Sequence, residues 1–352
     1  MSFFRVGITP DFYVDARGRF EKAIESKLGP ERSVEYLPMP PQPGKLATPE
    51  ALDGFDALFS LGLRITRESL AGVERLALVA RWGVGYDMID VPALTEAGIA
   101  LAITSDAVKR PVAEAILTFI FALSKDLPEQ DKVIRSGQWR GSLRRLGRGV
   151  GGKVLGSVGC GNIAREMFRL SGSLGFARFI ACDPFADRAA ATELGVELVS
   201  LEEVLRESDY VTINTLLNAS TRGMIGEQQL ALMKPDAFLI NTARGPVVNR
   251  QALIRALREK RIAGAGLDVF DKEPIEPDDP LLSLDNVILS PHGLAWTEEI
   301  VRDNGLEACD HILSVARGEI PGGLVNREVL GSPKFLAKLE RFAAMAAMKE
   351  SL

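Results

Sequence analysis

Short apolar runs alternating with segments of helical spacing set the pattern of this chain. FFRVGI, SVEYL, DALFS, LALVAR and IALAI are brief, rich in β-branched and aromatic residues, and several are separated by stretches that can be helical. Such alternation predicts an α/β fold built on a parallel sheet. The pattern resumes with VLGSVG, ARFIACD, VELVS, DYVTINT, AFLINTA and AGAGLDVF, and NVILS follows. This second series predicts a doubly wound sheet, which binds ligands at the carboxyl ends of its strands. Between the two series, Pro111 is expected to open a long helix, PVAEAILTFIFALSKDL, because proline suits the first helical position. DKVIRSGQW then offers a second apolar face through Val133, Ile134 and Trp139, which raises the odds of a subunit contact. The proline-rich stretch from Pro38 to Pro49 predicts a surface loop. Beyond Trp296 the chain reads as helical, ending in an amphipathic tail, PKFLAKLERFAAMAAMKESL, suited to a core or subunit contact.

Composition narrows the class. At 352 residues two domains are expected. Forty-two Lys and Arg against 47 Asp and Glu give a net charge of −5, too mild for a polyanionic partner, so nucleic acid is not the expected ligand. Cys160, Cys182 and Cys309 are odd in number and widely spaced, which fits reduced thiols of a cytoplasmic protein. The N-terminus lacks the basic and apolar segments of a signal peptide, and the apolar helix from Pro111 to Leu123 is too short to span a bilayer and carries Glu114. No membrane role and no metal are expected.

The chemistry begins in Val154 to Asp183, which reads as strand, glycine turn, helix and strand. Gly159 suits the sharp turn, Gly161 lets backbone approach a pyrophosphate, and Ala164 is small enough for the helix to pack on the strand. Asn162 and Ile163 open the helix, where free N–H groups and the helix dipole favour an anion. Asp183 stands about 20 residues on, where an acid accepts hydrogen bonds from ribose hydroxyls and repels a 2′-phosphate. The predicted cofactor is therefore NAD in preference to NADP.

Three later strand ends present Arg244, Glu273 and His292. The chain has only two histidines. His311 lies within an apparent helix and reads as structural, whereas His292 sits in a Pro-His-Gly loop. The Gly83-Val84-Gly85 turn after LALVAR reads either as a nest of outward N–H groups for an anion or as a tight turn capped by Asp87 or Asp90.

With GCGNIA and Asp183, NTARGPVVN, GLDVFDKEP and SPHGLAWT in that order, the chain resembles the D-isomer-specific 2-hydroxyacid dehydrogenase family from about Val6 to Val329. The resemblance implies a Rossmann-type NAD domain, residues 109–296, inserted in a flavodoxin-like substrate domain of residues 1–108 and 297–352, with 331–352 as a tail. It implies hydride transfer between NAD(H) and a D-2-hydroxy acid or 2-keto acid pair such as glyoxylate, hydroxypyruvate or a phosphoglycerate-like substrate. Arg244, Glu273 and His292 become the catalytic set: His292 the acid and base, Glu273 its orienting partner, Arg244 the fork for the substrate carboxylate. Val84 and Gly85 map onto the loop that donates N–H groups to that carboxylate, and Trp296 is expected to narrow the substrate cleft. Asp268 resembles the acid near the nicotinamide, with Thr215, Thr242, Ala243 and Gly293 in the cofactor's neighbourhood. Relatives of this kind are expected to pair as homodimers through the NAD domain. Thr104-Ser105-Asp106 and Asn214-Thr215-Leu216-Leu217-Asn218 depart from the usual family motifs at a hinge and at the cofactor pocket floor. An NAD-sensing corepressor and a phosphite dehydrogenase remain alternatives on the same scaffold.

Overall fold

A computed structural model describes residues 3–16 and 18–350; positions 351 and 352 of the expected tail helix lie outside them. The chain divides into two compact units at Val108/Lys109 and again at Trp296/Thr297.

The unit holding both ends of the chain is built on five parallel strands, β1 (Phe4–Ile8), β2 (Val34–Pro38), β3 (Ala57–Ser60), β4 (Leu78–Arg81) and β5 (Ala100–Ile103), in the order β2-β1-β3-β4-β5. That is the flavodoxin-like order, whose direction reverses between β1 and β3. One face packs Leu58, Val79 and Leu101 against Leu52, Leu63, Ile65 and Leu94. An aromatic set of Phe12, Phe20 and Phe59 forms another part of the core.

The other unit carries seven parallel strands: β6 (Val154–Val158), β7 (Arg178–Cys182), β8 (Val196–Leu198), β9 (Tyr210–Ile213), β10 (Phe238–Asn241), β11 (Gly264–Leu267) and β12 (Val287–Leu289). Their order, β12-β11-β10-β9-β6-β7-β8, is doubly wound, with its reversal between β6 and β9. Strands β9, β10 and β11 are buried at every position, as inner strands covered on both faces must be, whereas edge strand β12 is half-buried throughout. The small residues of β11 let a helix come close. A Cβ on Gly266 would stand 2.6 Å from the Phe119 ring.

Phe119 belongs to a helix that corrects the expectation drawn from Pro111. The helix spans Ser105–Lys125, so Pro111 lies inside it instead of opening it. Its first turn is completed by Glu307, whose carboxylate accepts from the N–H groups of Asp106 (3.4 Å) and Ala107 (2.9 Å). A distant side chain supplies acceptors to the orphan donors of the helix start, and the helix gains six residues ahead of the proline.

The tail helix, Pro333–Glu350, packs on the first unit, burying Phe335, Leu339 and Phe342, the last edge-on to Phe4 at 4.8 Å. Lys338 is buried on its inner face. Its ammonium donates to the carbonyls of Leu76 (2.6 Å), Gly98 (3.1 Å) and Ala97 (3.4 Å). Arg341 adds a bond to the buried Asp56 carboxylate at 3.2 Å. Burial, helped by Arg341 and Lys334, pushes the Lys338 amine down to about 8 against the pull of Asp53 and Glu74.

Below pH 8 both the folded and unfolded chains carry this proton, so the fold bears the full cost of burying the charge. Between about 8 and the ordinary 10.5 the folded chain releases it first, and stability from this group rises with pH. Lys338→Met is expected to lose that rise and, at neutral pH, about 1–3 kcal/mol, because three carbonyls lose their donor. Urea denaturation of wild type and variant from pH 7 to 10.5 checks both, and parallel pH curves would contradict the first.

Candidate active site

The glycine turn lies at the reversal between β6 and β9. Gly159 has φ +100°, and a Cβ there would come 2.3 Å from the Asn214 carbonyl oxygen at the end of β9. Only glycine meets both demands. Gly161 caps the helix Asn162–Ser171 and faces open space, with nothing beyond its chain neighbours within 4 Å of where a Cβ would stand. Here is room for a pyrophosphate against helix N–H groups. Asn162 is exposed, with its side-chain oxygen bonded to Arg165 at 2.6 Å, and Ile163 packs partly into the core.

Asp183 follows β7 and is braced toward this turn. One carboxylate oxygen accepts from the Cys160 N–H and the other from the Phe185 N–H, both at 2.8 Å. Each oxygen keeps a lone pair for a further donor such as a ribose hydroxyl. Asn214 bonds to Ser157 and Thr212 at 2.9 Å, fixing the base on which Thr215 sits beside the turn. Open glycine edge, helix start and placed acid together suit a dinucleotide.

At the other strand ends, Asn241 closes β10. Its oxygen accepts from the Ala243 N–H at 3.0 Å, and its amide donates to the Arg244 carbonyl at 2.9 Å. This buried residue, given no role from sequence alone, shapes the Thr242-Ala243-Arg244 loop. Gly245 lets that loop touch the next one, since a Cβ would lie 2.2 Å from the Phe270 carbonyl carbon. Asp268 follows β11, and its Oδ1 accepts from Gly293 N–H (3.0 Å), Leu294 N–H (3.2 Å) and the Ser290 hydroxyl. The acid expected near the nicotinamide thus also holds the loop that carries His292.

His292 stands in the left-handed region at φ +52°, a conformation sustained only by such surrounding bonds. Its Nδ1 lies 2.7 Å from Glu273 Oε2, while Glu273 Oε1 accepts from the Phe270 N–H at 2.9 Å. Burial alone would raise the Glu273 carboxyl. The bond to and charge of His292, the Phe270 N–H and the Arg244 charge outweigh it and hold the group below its ordinary value. The structure therefore joins Arg244, Glu273 and His292 electrostatically, with His292 Nε2 directed away from its carboxylate partner. Trp296 closes the same loop, its N–H donating to Gly293 O at 2.9 Å.

Val84 and Gly85 belong to the other unit. There Arg81 donates to the carbonyls of Gly85 (3.0 Å) and Trp82, and Asp90 caps the helix Val91–Glu96 through the Ala93 N–H at 3.0 Å. His311, in the helix Glu298–Ala316, meets the Ile103 carbonyl at 3.2 Å, a bond within the scaffold.

A family model described as D-isomer specific 2-hydroxyacid dehydrogenase, NAD binding domain, matches residues 117–293. The chain is 40% identical to a glyoxylate reductase of Korarchaeum cryptofilum over 82% of its own length and 88% of that protein. It is 37% identical to a D-3-phosphoglycerate dehydrogenase of Methanocaldococcus jannaschii, over 82% of this chain and 54% of that one. Among solved structures, a glyoxylate reductase from Paecilomyes thermophila superposes with a TM-score of 0.79 at 30% identity, covering 92% of this chain and 99% of the other.

The two glycines are expected to fail differently. Gly159→Ala should cost about 1–3 kcal/mol of stability, since the left-handed backbone and the Asn214 carbonyl both resist a side chain. Gly161→Val should leave the melting temperature of the free protein nearly unchanged and abolish most of its rise with NADH. Thermal unfolding with and without NADH distinguishes the two.

Proposed function

Because the chain belongs to the D-isomer specific 2-hydroxyacid dehydrogenase family, we propose that it reduces a small 2-keto acid, of the glyoxylate or hydroxypyruvate kind, to the D-2-hydroxy acid with His292 as general acid. The protein is an NAD-binding dehydrogenase acting on the 2-hydroxy acid and 2-keto acid pair. The observation that carries the finer reading is the 2.7 Å contact between His292 and Glu273 within reach of the Arg244 charge.

NADH, when bound, supplies the hydride to the keto carbon. Arg244 holds the substrate carboxylate and polarises the carbonyl with a cation that never loses its proton. As charge builds on the carbonyl oxygen, His292 Nε2 gives it a proton; in the reverse direction the neutral imidazole takes the hydroxyl proton back. Glu273 fixes the ring through Nδ1 and so turns Nε2 toward the oxygen. Asp268 keeps the loop bearing His292 and Gly293 in place. In the unit that holds both chain ends, Val84 and Gly85 are proposed as backbone donors to an anion, and Trp296 is proposed to bound the space for a substrate's tail. Asp183 is assigned to the adenosine ribose, which makes NAD the preferred cofactor over NADP.

The expected partner is a second copy of the chain. Leu127, Ile134, Trp139 and Leu146, in one segment of the NAD-binding unit, leave 57%, 54%, 68% and 89% of their surface exposed, apolar area that a homodimer would cover. Three unpaired cysteines support a cytoplasmic setting. Among the described residues no helix is long and apolar enough to cross a membrane.

His292→Ala is expected to lower turnover of any accepted 2-keto acid by about 10²–10⁴-fold with NADH binding nearly intact; unchanged turnover would remove His292 from the mechanism. A panel of glyoxylate, hydroxypyruvate, other 2-keto acids and phosphite, each with the NADH or NAD and NADPH or NADP pair, tests the activity itself. Equal use of both cofactors by wild type would defeat the role given to Asp183, whereas Asp183→Ala should relax the preference. No turnover with any substrate, together with NAD-dependent growth of an oligomer, would favour the corepressor.

A further inference from the structure

In the first unit, the loop Gly83-Val84-Gly85 follows β4 and is held from two sides. Arg81 turns the carbonyls of Trp82 and Gly85 toward its guanidinium. The Gly83 N–H donates to Thr104 Oγ1 at 2.7 Å, and the Thr104 hydroxyl in turn donates to Asn304 Oδ1 at 2.5 Å. The reciprocal backbone bond, Thr104 N–H to Gly83 O, is 3.3 Å. Thr104 and Asn304 are both buried, so neither hydroxyl nor amide oxygen has water to fall back on. Gly83 has φ +116°, and a Cβ there would stand 3.2 Å from Arg81 Nη1, so the loop lies flat on the guanidinium.

Asn304 does not act alone. Asn304, Glu307 and His311 stand at i, i+3 and i+7 on one face of the helix Glu298–Ala316, and all three grip the segment from Ile103 to Ala107. His311 takes the Ile103 carbonyl, Asn304 the Thr104 hydroxyl, and Glu307 the N–H groups of Asp106 and Ala107. That segment is thereby fixed against the helix, and through Thr104 it fixes the loop. Hydroxyl direction is decided as well. Because the Asn304 oxygen can only accept, the Thr104 hydroxyl must donate to it and offer its lone pair to Gly83.

We propose that Thr104 and Asn304 are positioning residues for the substrate carboxylate: by consuming the Gly83 N–H and anchoring the loop, they leave the N–H groups of Val84 and Gly85 as its paired outward donors. The Val84 and Gly85 N–H groups have no partner among the described residues, while the carbonyls around them are tied inward by Arg81. Two adjacent N–H groups with a guanidinium beneath them form a concavity for an anionic oxygen pair. The inference rests on the 2-keto acid reading above, since it takes a carboxylate as the ligand. It adds a specific division of labour: Gly83 is structural, and its two successors bind.

Oxalate tests this without turnover. Calorimetric titration of oxalate into the NADH-saturated protein is expected to show Thr104→Val and Asn304→Leu each weakening binding about tenfold, or ~1.4 kcal/mol. Thr104→Ser, which restores the hydroxyl, should recover most of that affinity. The Thr104→Val/Asn304→Leu double variant should be little worse than either single one, because both act through the same N–H. For glyoxylate, KM should rise by a similar factor with kcat changed far less, the pattern of lost uniform binding. NADH affinity and melting temperature are the controls. Unchanged oxalate affinity in Thr104→Val would overturn the proposal, as would a Thr104→Ser protein as impaired as Thr104→Val. Should either variant fail to fold, Asn304→Asp, which keeps the accepting oxygen, replaces it and is expected to bind oxalate better than Asn304→Leu; equal loss in the two would also overturn the proposal. If wild type reduces no 2-keto acid yet binds oxalate in a Thr104-dependent way, the proposed reaction falls and the loop assignment stands.

Discussion

Asp268 follows β11, and the loop after β12 is fastened to one of its carboxylate oxygens. Ser290, Gly293 and Leu294 all donate to Oδ1, and the Asp268 N–H reaches back to the Asn241 carbonyl at the end of β10. A carboxylate this deeply buried is tolerated only where donors replace the water it has lost. The requirement works in both directions. The donors keep the charge in place, and the charge keeps three residues of the His292 loop in a conformation the backbone would otherwise leave. His292 can hold a left-handed φ because Gly293 and Leu294 are anchored immediately after it.

On that foundation the groups proposed as catalytic need only short reach. Glu273 is partly desolvated, which favours its neutral form, yet three neighbours return it to the carboxylate: His292, the Phe270 N–H and Arg244. An anion held so firmly against Nδ1 orients the imidazole, as the proposed proton transfer from Nε2 requires. Asn241 plays the matching part on β10, tying its own loop so that Arg244 projects from a fixed backbone. The parallel sheet brings these groups to one edge, since every strand ends with its carboxyl terminus on the same side.

The unit that carries both chain ends uses buried polar groups in a different way. Lys338 satisfies three carbonyls with one ammonium and bears a desolvation penalty for it. Glu307 and His311 take backbone groups where β5 passes into the helix that starts at Ser105, and Asn304 takes the Thr104 hydroxyl between them. Lys338, Glu307 and His311 supply partners to backbone groups at element ends, and Asn304 to a buried hydroxyl, places where an unmade hydrogen bond is costly.

The sequence by itself determined the strands, the doubly wound class of the larger sheet, the glycine turn followed by Asp183, and the position of Arg244, Glu273 and His292 just past strand ends, while their proposed roles came from the family resemblance. The strands, sheet class, turn and positions rest on local pattern: apolar runs, glycines at a strand end, and charged residues just past strands. Three features depended on partners far away in the chain. The helix start at Ser105 instead of Pro111 is decided by Glu307, and the hold on Gly83 by Asn304, each across 200 residues or more. Lys338 reads as one more charge on an amphipathic tail until the carbonyls of Leu76, Ala97 and Gly98 are placed around it. Periodicity reports which face of an element is apolar. It carries no information on which distant donor meets which acceptor, and that pairing is made only when the chain is folded.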